Sequence, residues 1–394
     1  MQRPTTYLDH AATTPLREEA RAAMEPFLGA GYGNPSAMYE LSRQASDALD
    51  EARRTVAELL GCRPNDIIFN SGGTESINAA IKGVAFAQQL AGGGHHIITS
   101  SVEHHAVLHS CEYLEKFGFE ITYLDVDGHG LVDPEAVAAA VRTDTVLVSL
   151  MLANNEVGTV EPVAASSEAV RARARALGKV IPFHCDAVQA PGYLPVNVGA
   201  LGVDLLSLSA HKFGGPKGVG VLYLDRSAPY LPLMSGGGQE RQRRAGTENV
   251  AGIVGTAAAL SLAFAHQEKA AAHTARLRDR IIEDVPRSVE HVVLNGHPTQ
   301  RLPNNVNLSF LGLEGDALVE ALDEQGIAVG SGSACGSGSW EPSHVLLAMG
   351  LSLERAAGAL RITVADETTD AEIDRLLSVL PGIVANLRQQ PVAV

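Results

Sequence analysis

Cysteine is scarce in this chain, with four residues in 394: Cys62, Cys111, Cys185 and Cys335. They lie far apart, with no Cys-x-x-Cys pair and no histidine at zinc-finger spacing, which argues against a disulfide framework or a structural metal site. Cys62, Cys111 and Cys185 sit beside apolar or helical residues and read as buried small hydrophobes. Long apolar runs are also missing. No stretch approaches the roughly 18 uninterrupted apolar residues of a membrane span, and the start, MQRPTTYLDHAATTP, lacks a basic region followed by an apolar one. A cytoplasmic location is expected. Positive charge is in deficit, with a formal net charge of −15, so neither nucleic acid nor an anionic membrane is expected as a direct partner. Arg241, Arg243 and Arg244 form a local exception that could meet an anionic group. There is no Walker loop, no GxGxxG fingerprint and no internal repeat.

What the chain has is length and apolar content, 45% hydrophobic residues, enough for two domains, one large and one small. Short apolar runs at 67–70, 96–100, 121–125, 145–152, 180–186, 204–210 and 220–225 read as strands. Alanine-rich helical patterns at 75–90, 105–117 and 163–177 alternate with them. That rhythm is α/β, with a mostly parallel sheet. A long helical stretch, about 249–284, leads into a different pattern: the strand VNLSF, the helix GDALVEALDEQG, a Gly/Ser segment, the helix SHVLLAMG, the strand LRITV and a last helix from about Asp370. The change predicts a large domain over 17–264 and a smaller α+β domain built from 1–16 and 265–394.

Within VDLLSLSAHKFGGPKGVGVLY, Lys212 stands at the end of an apolar strand and before glycines that allow close approach. An amine there becomes a nucleophile toward aldehydes if burial lowers its pKa; taken alone, it reads as a solvated loop lysine. Asp186 ends the run VIPFHCD and suits a cationic ring nitrogen, with Gln189 three residues on to reach a ring oxygen; a helix N-cap is the alternative. SGGTES joins a strand to a helix, so Ser71, Gly73 and Thr74 form either a phosphate cradle or an ordinary capped turn. His104, in SVEHHAVLHS, could lie flat on a pyridine ring. An aldehyde-reactive amine, a partner for a ring cation and a phosphate seat are together what pyridoxal phosphate requires.

The ordered series YLDHAATTP, GNPSA, SGGTES, EHHAV, NNEVGT, HCDAVQ, SAHKFGGPKGVG, GGGQERQRRAGTEN, GSACGSGSWEPSHVL and LRIT resembles the cysteine desulfurases, a branch of the class V aminotransferases of fold type I, along nearly the whole chain. The resemblance implies a large domain with a seven-stranded, mostly parallel sheet and a cytoplasmic homodimer acting on L-cysteine. It also implies that Lys212 binds pyridoxal 5'-phosphate covalently, that Asp186 pairs with the ring nitrogen, that Gln189 contacts the ring hydroxyl and that His104 stacks on the ring. Gly73, Thr74, Ser209 and His211 would hold the phosphate, with Thr247 reaching it from a second subunit. Asn155 would touch cofactor or substrate, Arg361 would clamp the substrate carboxylate, and Asn34 would assist it.

Cys335 lies within GSGSACGSGSW, the one low-complexity stretch, on a segment of about 328–342. The resemblance implies that this cysteine, as a thiolate, takes the substrate's sulfur as a persulfide and hands it to an acceptor protein, such as an iron-sulfur scaffold or a tRNA-thiolating enzyme. Glycine and serine on both sides suit a segment with two destinations. The pattern followed by EPS resembles the long-segment group that serves iron-sulfur assembly and tRNA thiolation. Gly336, Trp340 and RITVADETT depart from that group's usual residues, which leaves the acceptor open. Selenocysteine lyase, another class V enzyme and a non-catalytic scaffold with Cys335 as a transient cluster ligand are the alternatives.

Overall fold

The structure, a computed structural model, describes residues 6–331 and 342–389. Cys335 and most of its Gly/Ser segment lie outside the described residues. Twelve strands are found among those described: β1 (Thr6–Tyr7), β2 (Ile67–Asn70), β3 (His96–Ser100), β4 (Glu120–Leu124), β5 (Thr145–Met151), β6 (Phe183–Asp186), β7 (Leu205–Ser209), β8 (Gly220–Leu224), β9 (Val292–Leu294), β10 (Asn305–Phe310), β11 (Ile327–Ala328) and β12 (Ala359–Thr363). The strand at 180–186 starts three residues later than its apolar run, after Pro182, which has no N–H to give a ladder.

Seven strands form one sheet in the order β2-β8-β7-β6-β5-β3-β4. All neighbours are parallel except at β8, which is antiparallel to both β7 and β2. Every strand but the edge strand β4 is buried along its length, so both faces are covered, as a parallel sheet requires. Side chains alternate between the faces. Ile68, Ile97, Leu147, Leu205 and Leu222 meet the helices Gly73–Leu90 and His105–Glu115. Phe69, Ile98, Val148, Leu206 and Val221 meet Glu40–Leu60, Val163–Ala176 and Val250–Ala265.

A separate core lies under the antiparallel sheet β12-β10-β9, where Leu308, Phe310 and Ile362 pack on the helices Gln267–Ser288, Gly315–Glu324 and Asp370–Gln389. The single helix expected over 249–284 is two, Val250–Ala265 and Gln267–Ser288, bent by 70°. His266 leaves helical geometry between them (φ −103°, ψ 2°). The first helix is buried nearly all round in the main core and the second buries one stripe in the smaller core, so the break lets each face its own partner. Cys111 and Cys185 are buried as expected, whereas Cys62 is only half-buried, because it follows the glycine that ends Glu40–Leu60.

Candidate active site

Strand direction decides where functional residues collect. β3, β5, β6 and β7 are parallel, and the two antiparallel steps through β8 return β2 to the same direction. Segments at the C-terminal ends of these five strands therefore share one edge of the sheet, where open α/β proteins bind their ligands. Gly73 and Thr74 follow β2, His104 follows β3, Asn155 follows β5, Asp186 and Gln189 follow from β6, and Ser209, His211 and Lys212 from β7. All of them, with Arg361 of β12, line one cavity of about 660 Å³.

β7 runs into a single 3-10 turn, Ala210–Lys212, which turns the lysine into the cavity. Its Nζ donates to the carbonyls of Ala11 and Ala12 at 2.5 and 2.8 Å. Burial, and secondarily the positive charge of Arg361, bring this amine down to about 8, against the opposing pull of Asp9 and Asp186. Burial pushes the Asp186 carboxyl up to about 6, although the Val188 N–H donates to its Oδ1 at 3.0 Å and the Lys212 charge favours ionisation. The carboxylate thus makes a short local turn, and among the described residues no cation hydrogen-bonds it.

His104 is the N-cap of His105–Glu115: its Nδ1 accepts from the Ala106 N–H at 3.0 Å. Burial first, then the Lys212 charge, hold the imidazole down at about 4, so the ring is neutral and its proton sits on Nε2. The turn before Gly73–Leu90 is built for close approach. Gly72 has a φ of +153°, and a Cβ on Gly73 would fall 3.0 Å from Val188 Cγ2 and 3.2 Å from Ser209 Cβ. Asn70 Oδ1 takes the Gly72 N–H and Glu75 takes that of Ser71, while Gly73 and Thr74, in the first turn where N–H groups have no intrahelical acceptor, line the cavity. Gln189 donates to the Ala11 carbonyl at 3.1 Å, and His211 Nδ1 lies 3.1 Å from Thr13 Oγ1. Arg361 donates to the Asn155 carbonyl at 3.1 Å and to Asp9 at 2.8 Å; its buried Nε has no hydrogen-bond partner among the described residues.

Asn34 and Thr247 are exposed and do not line this cavity; Asn34 instead accepts the Ser36 N–H at 3.0 Å. Three features went unread in the sequence. The Ala11 and Ala12 carbonyls form one wall beside Lys212, and a carbonyl leaves no trace in residue type. Glu156 lines the cavity, hydrogen-bonded by Ser343, with burial pushing its carboxyl up to about 7. His105 and His344 also line it, their rings 4.4 Å apart; the doublet in EHHAV was the available signal for His105.

A buried carboxylate with no cation on it among the described residues, a half-buried amine on two carbonyls, a helix N-terminus and an orphan guanidinium N–H fit pyridoxal phosphate carrying an amino acid. Comparison with known proteins agrees. Residues 6–376 match the family model described as aminotransferase class-V. The chain is 51% identical to the cysteine desulfurase IscS of Dictyoglomus turgidum over 382 residues, covering 97% of this chain and 95% of the relative. Among solved structures it is similar to a NifS-like protein, with a TM-score of 0.90, 37% identity and coverage of 97% and 100%. It is also similar to SspA in complex with cysteine, with a TM-score of 0.79, 35% identity and coverage of 92% and 99%.

Proposed function

This chain belongs to the class V aminotransferases and, among them, to the cysteine desulfurases, and from that premise we propose how its cavity converts L-cysteine to L-alanine and where the sulfur goes. The observation that carries the reading is the convergence on one cavity of the Lys212 amine, the Asp186 carboxylate, the N-terminus of Gly73–Leu90 and the Arg361 guanidinium. Pyridoxal phosphate, the cofactor of this family, supplies when bound an electron sink for the bonds broken at the amino acid.

The chain's own residues do the rest. Lys212 Nζ holds the cofactor and takes or returns the proton at the substrate's α-carbon, a role suited to an amine near neutrality. Asp186 would pair with the ring nitrogen and favour its protonated form, and that charge would favour the ionised carboxylate. Gly73, Thr74, Ser209 and His211 would hold the phosphate, Gln189 would reach the ring hydroxyl, and neutral His104 would stack on the ring, with a proton on Nε2 to give. Arg361 Nε, with Asn155 beside it, receives the substrate carboxylate. Cys335 attacks the substrate sulfur as a thiolate: an S–S bond forms as the Cβ–S bond breaks, and the carbon is protonated to give alanine. The persulfide then passes to an acceptor protein in the cytoplasm, an iron-sulfur scaffold or a tRNA-thiolating enzyme.

The protein acts as a homodimer in this reading. Thr247 is exposed and away from its own cavity, as a residue serving the partner's phosphate would be, and Leu231, Leu233 and Met234 are large apolar side chains left exposed. Residues 17–264 form the cofactor-bearing domain and 1–16 with 265–394 the smaller one, a division supported by their separate cores. Anaerobic incubation with L-cysteine and a thiol reductant tests the chemistry. Alanine is expected from the wild type, and Cys335→Ala and Lys212→Ala are each expected to lose it at least about a hundredfold, the first while still coloured by its cofactor. Alanine formed at the wild-type rate by Cys335→Ala would remove the sulfur-relay step.

A further inference from the structure

Arg361 is already engaged on one side before a substrate arrives. Nη2 donates to Asp9 Oδ1 at 2.8 Å, Nη1 donates to the Asn155 carbonyl at 3.1 Å, and the buried Nε is left without a hydrogen-bond partner among the described residues. The pair is well shielded, with side chains 11% and 19% exposed. Gly330 packs over it: a Cβ there would stand 3.0 Å from Nη2 and 3.2 Å from Asp9 Oδ1, and the Gly330 and Arg361 backbones exchange two hydrogen bonds. Asp9 is itself anchored, bridged to Thr363 through its backbone and accepting the Tyr7 hydroxyl on its carbonyl at 3.0 Å.

We infer that Asp9 sets how tightly the site holds an amino-acid carboxylate, by placing a fixed negative charge on the guanidinium that would receive it. The inference rests on the reading of Arg361 as the substrate clamp. Nε and Nη2 lie on one edge of the guanidinium plane, the edge that takes both oxygens of a carboxylate in a two-point pair. Asp9 takes one of the two N–H groups of Nη2 and offsets part of the positive charge that would draw a second carboxylate, while Nε has no partner among the described residues. An incoming carboxylate also lies beside a fixed negative charge in a shielded site, where repulsion is felt more strongly than in water. Asp9 therefore weakens capture of the amino acid and favours release of the alanine formed. Asp9 is a positioning residue that tunes affinity through Arg361 and bears on no reacting atom.

Calorimetric titration of the cofactor-loaded enzyme with L-alanine tests this, comparing wild type with Asp9→Asn, Asp9→Glu and Arg361→Gln. Asp9→Asn keeps an oxygen for Nη2 and loses the charge; it is expected to bind L-alanine roughly five- to tenfold more tightly and to lower KM for L-cysteine by a similar factor without raising kcat. Asp9→Glu keeps the charge and is expected to bind within about twofold of wild type, so a loss of folding cannot imitate the result. If Asp9→Asn gains no affinity while Arg361→Gln loses it, the inference is overturned and the clamp stands. If Arg361→Gln binds L-alanine like wild type, clamp and inference fall together.

Discussion

At Lys212 the chemistry turns on how often the amine is neutral. With a pKa of about 8, roughly a tenth of the chains carry a neutral amine at pH 7, against less than about a thousandth for an ordinary lysine. Uptake of pyridoxal phosphate by the cofactor-free protein, followed by absorbance, is expected to accelerate from pH 6 and to level off above about 8. Arg361 is the second cause of the depression. Arg361→Gln is therefore expected to move the curve to higher pH, and a curve that stays put would mean burial acts alone. The candidate lysine and aspartate were legible in the sequence because a charged residue at the end of an apolar strand is rare and directional. The partners that tune them were not. Arg361 is 149 positions beyond Lys212, and the Ala11 and Ala12 carbonyls belong to residues chosen for having no side chain to speak of. Asp9 was visible only as a letter in YLDHAATTP.

Elements, more than single residues, decide the shape of the phosphate end. The helix Gly73–Leu90 begins immediately after a strand, so its unpaired N–H groups must open onto the sheet edge. Gly73 keeps that opening clear: a side chain there would press on Val188 and Ser209. Gly73→Val is expected to weaken retention of pyridoxal phosphate about tenfold or more, by equilibrium dialysis, while leaving the melting temperature of the cofactor-free protein within a few degrees. Comparable losses of both would indicate a packing fault instead of a blocked cradle. Element type was well marked in the sequence, since period-2 and period-3.6 patterns are local. The bend at His266 was not marked, for the helical pattern runs through it and the break answers to two cores that come together only in three dimensions. His104 shows the same limit at smaller scale: the sequence suggested a ring that stacks, and the fold also makes it the cap of the following helix.

For the molecule as a whole, the net charge of −15 makes buried acids costly to ionise, and three of them, Glu103, Glu156 and Glu161, are pushed upward chiefly by burial. Glu161 lies off the cavity and isolates the effect. One oxygen accepts the Val132 N–H at 2.9 Å, and the other is buried without a partner among the described residues. Its carboxyl is raised from 4.5 to about 8 in the folded chain. A raised carboxyl stabilises the fold fully below the unfolded value, and that contribution fades as pH climbs through about 8. Glutamine has nearly the same shape and cannot ionise. Glu161→Gln is therefore expected to match the wild type in thermal stability at pH 5 and to exceed it at pH 9, by a few kcal/mol at most, with cysteine turnover at pH 7 little changed. An equal effect at both pH values would mean that the carboxyl does not titrate between them. A variant less stable at pH 9 would mean that the ionised form has a partner the fold supplies.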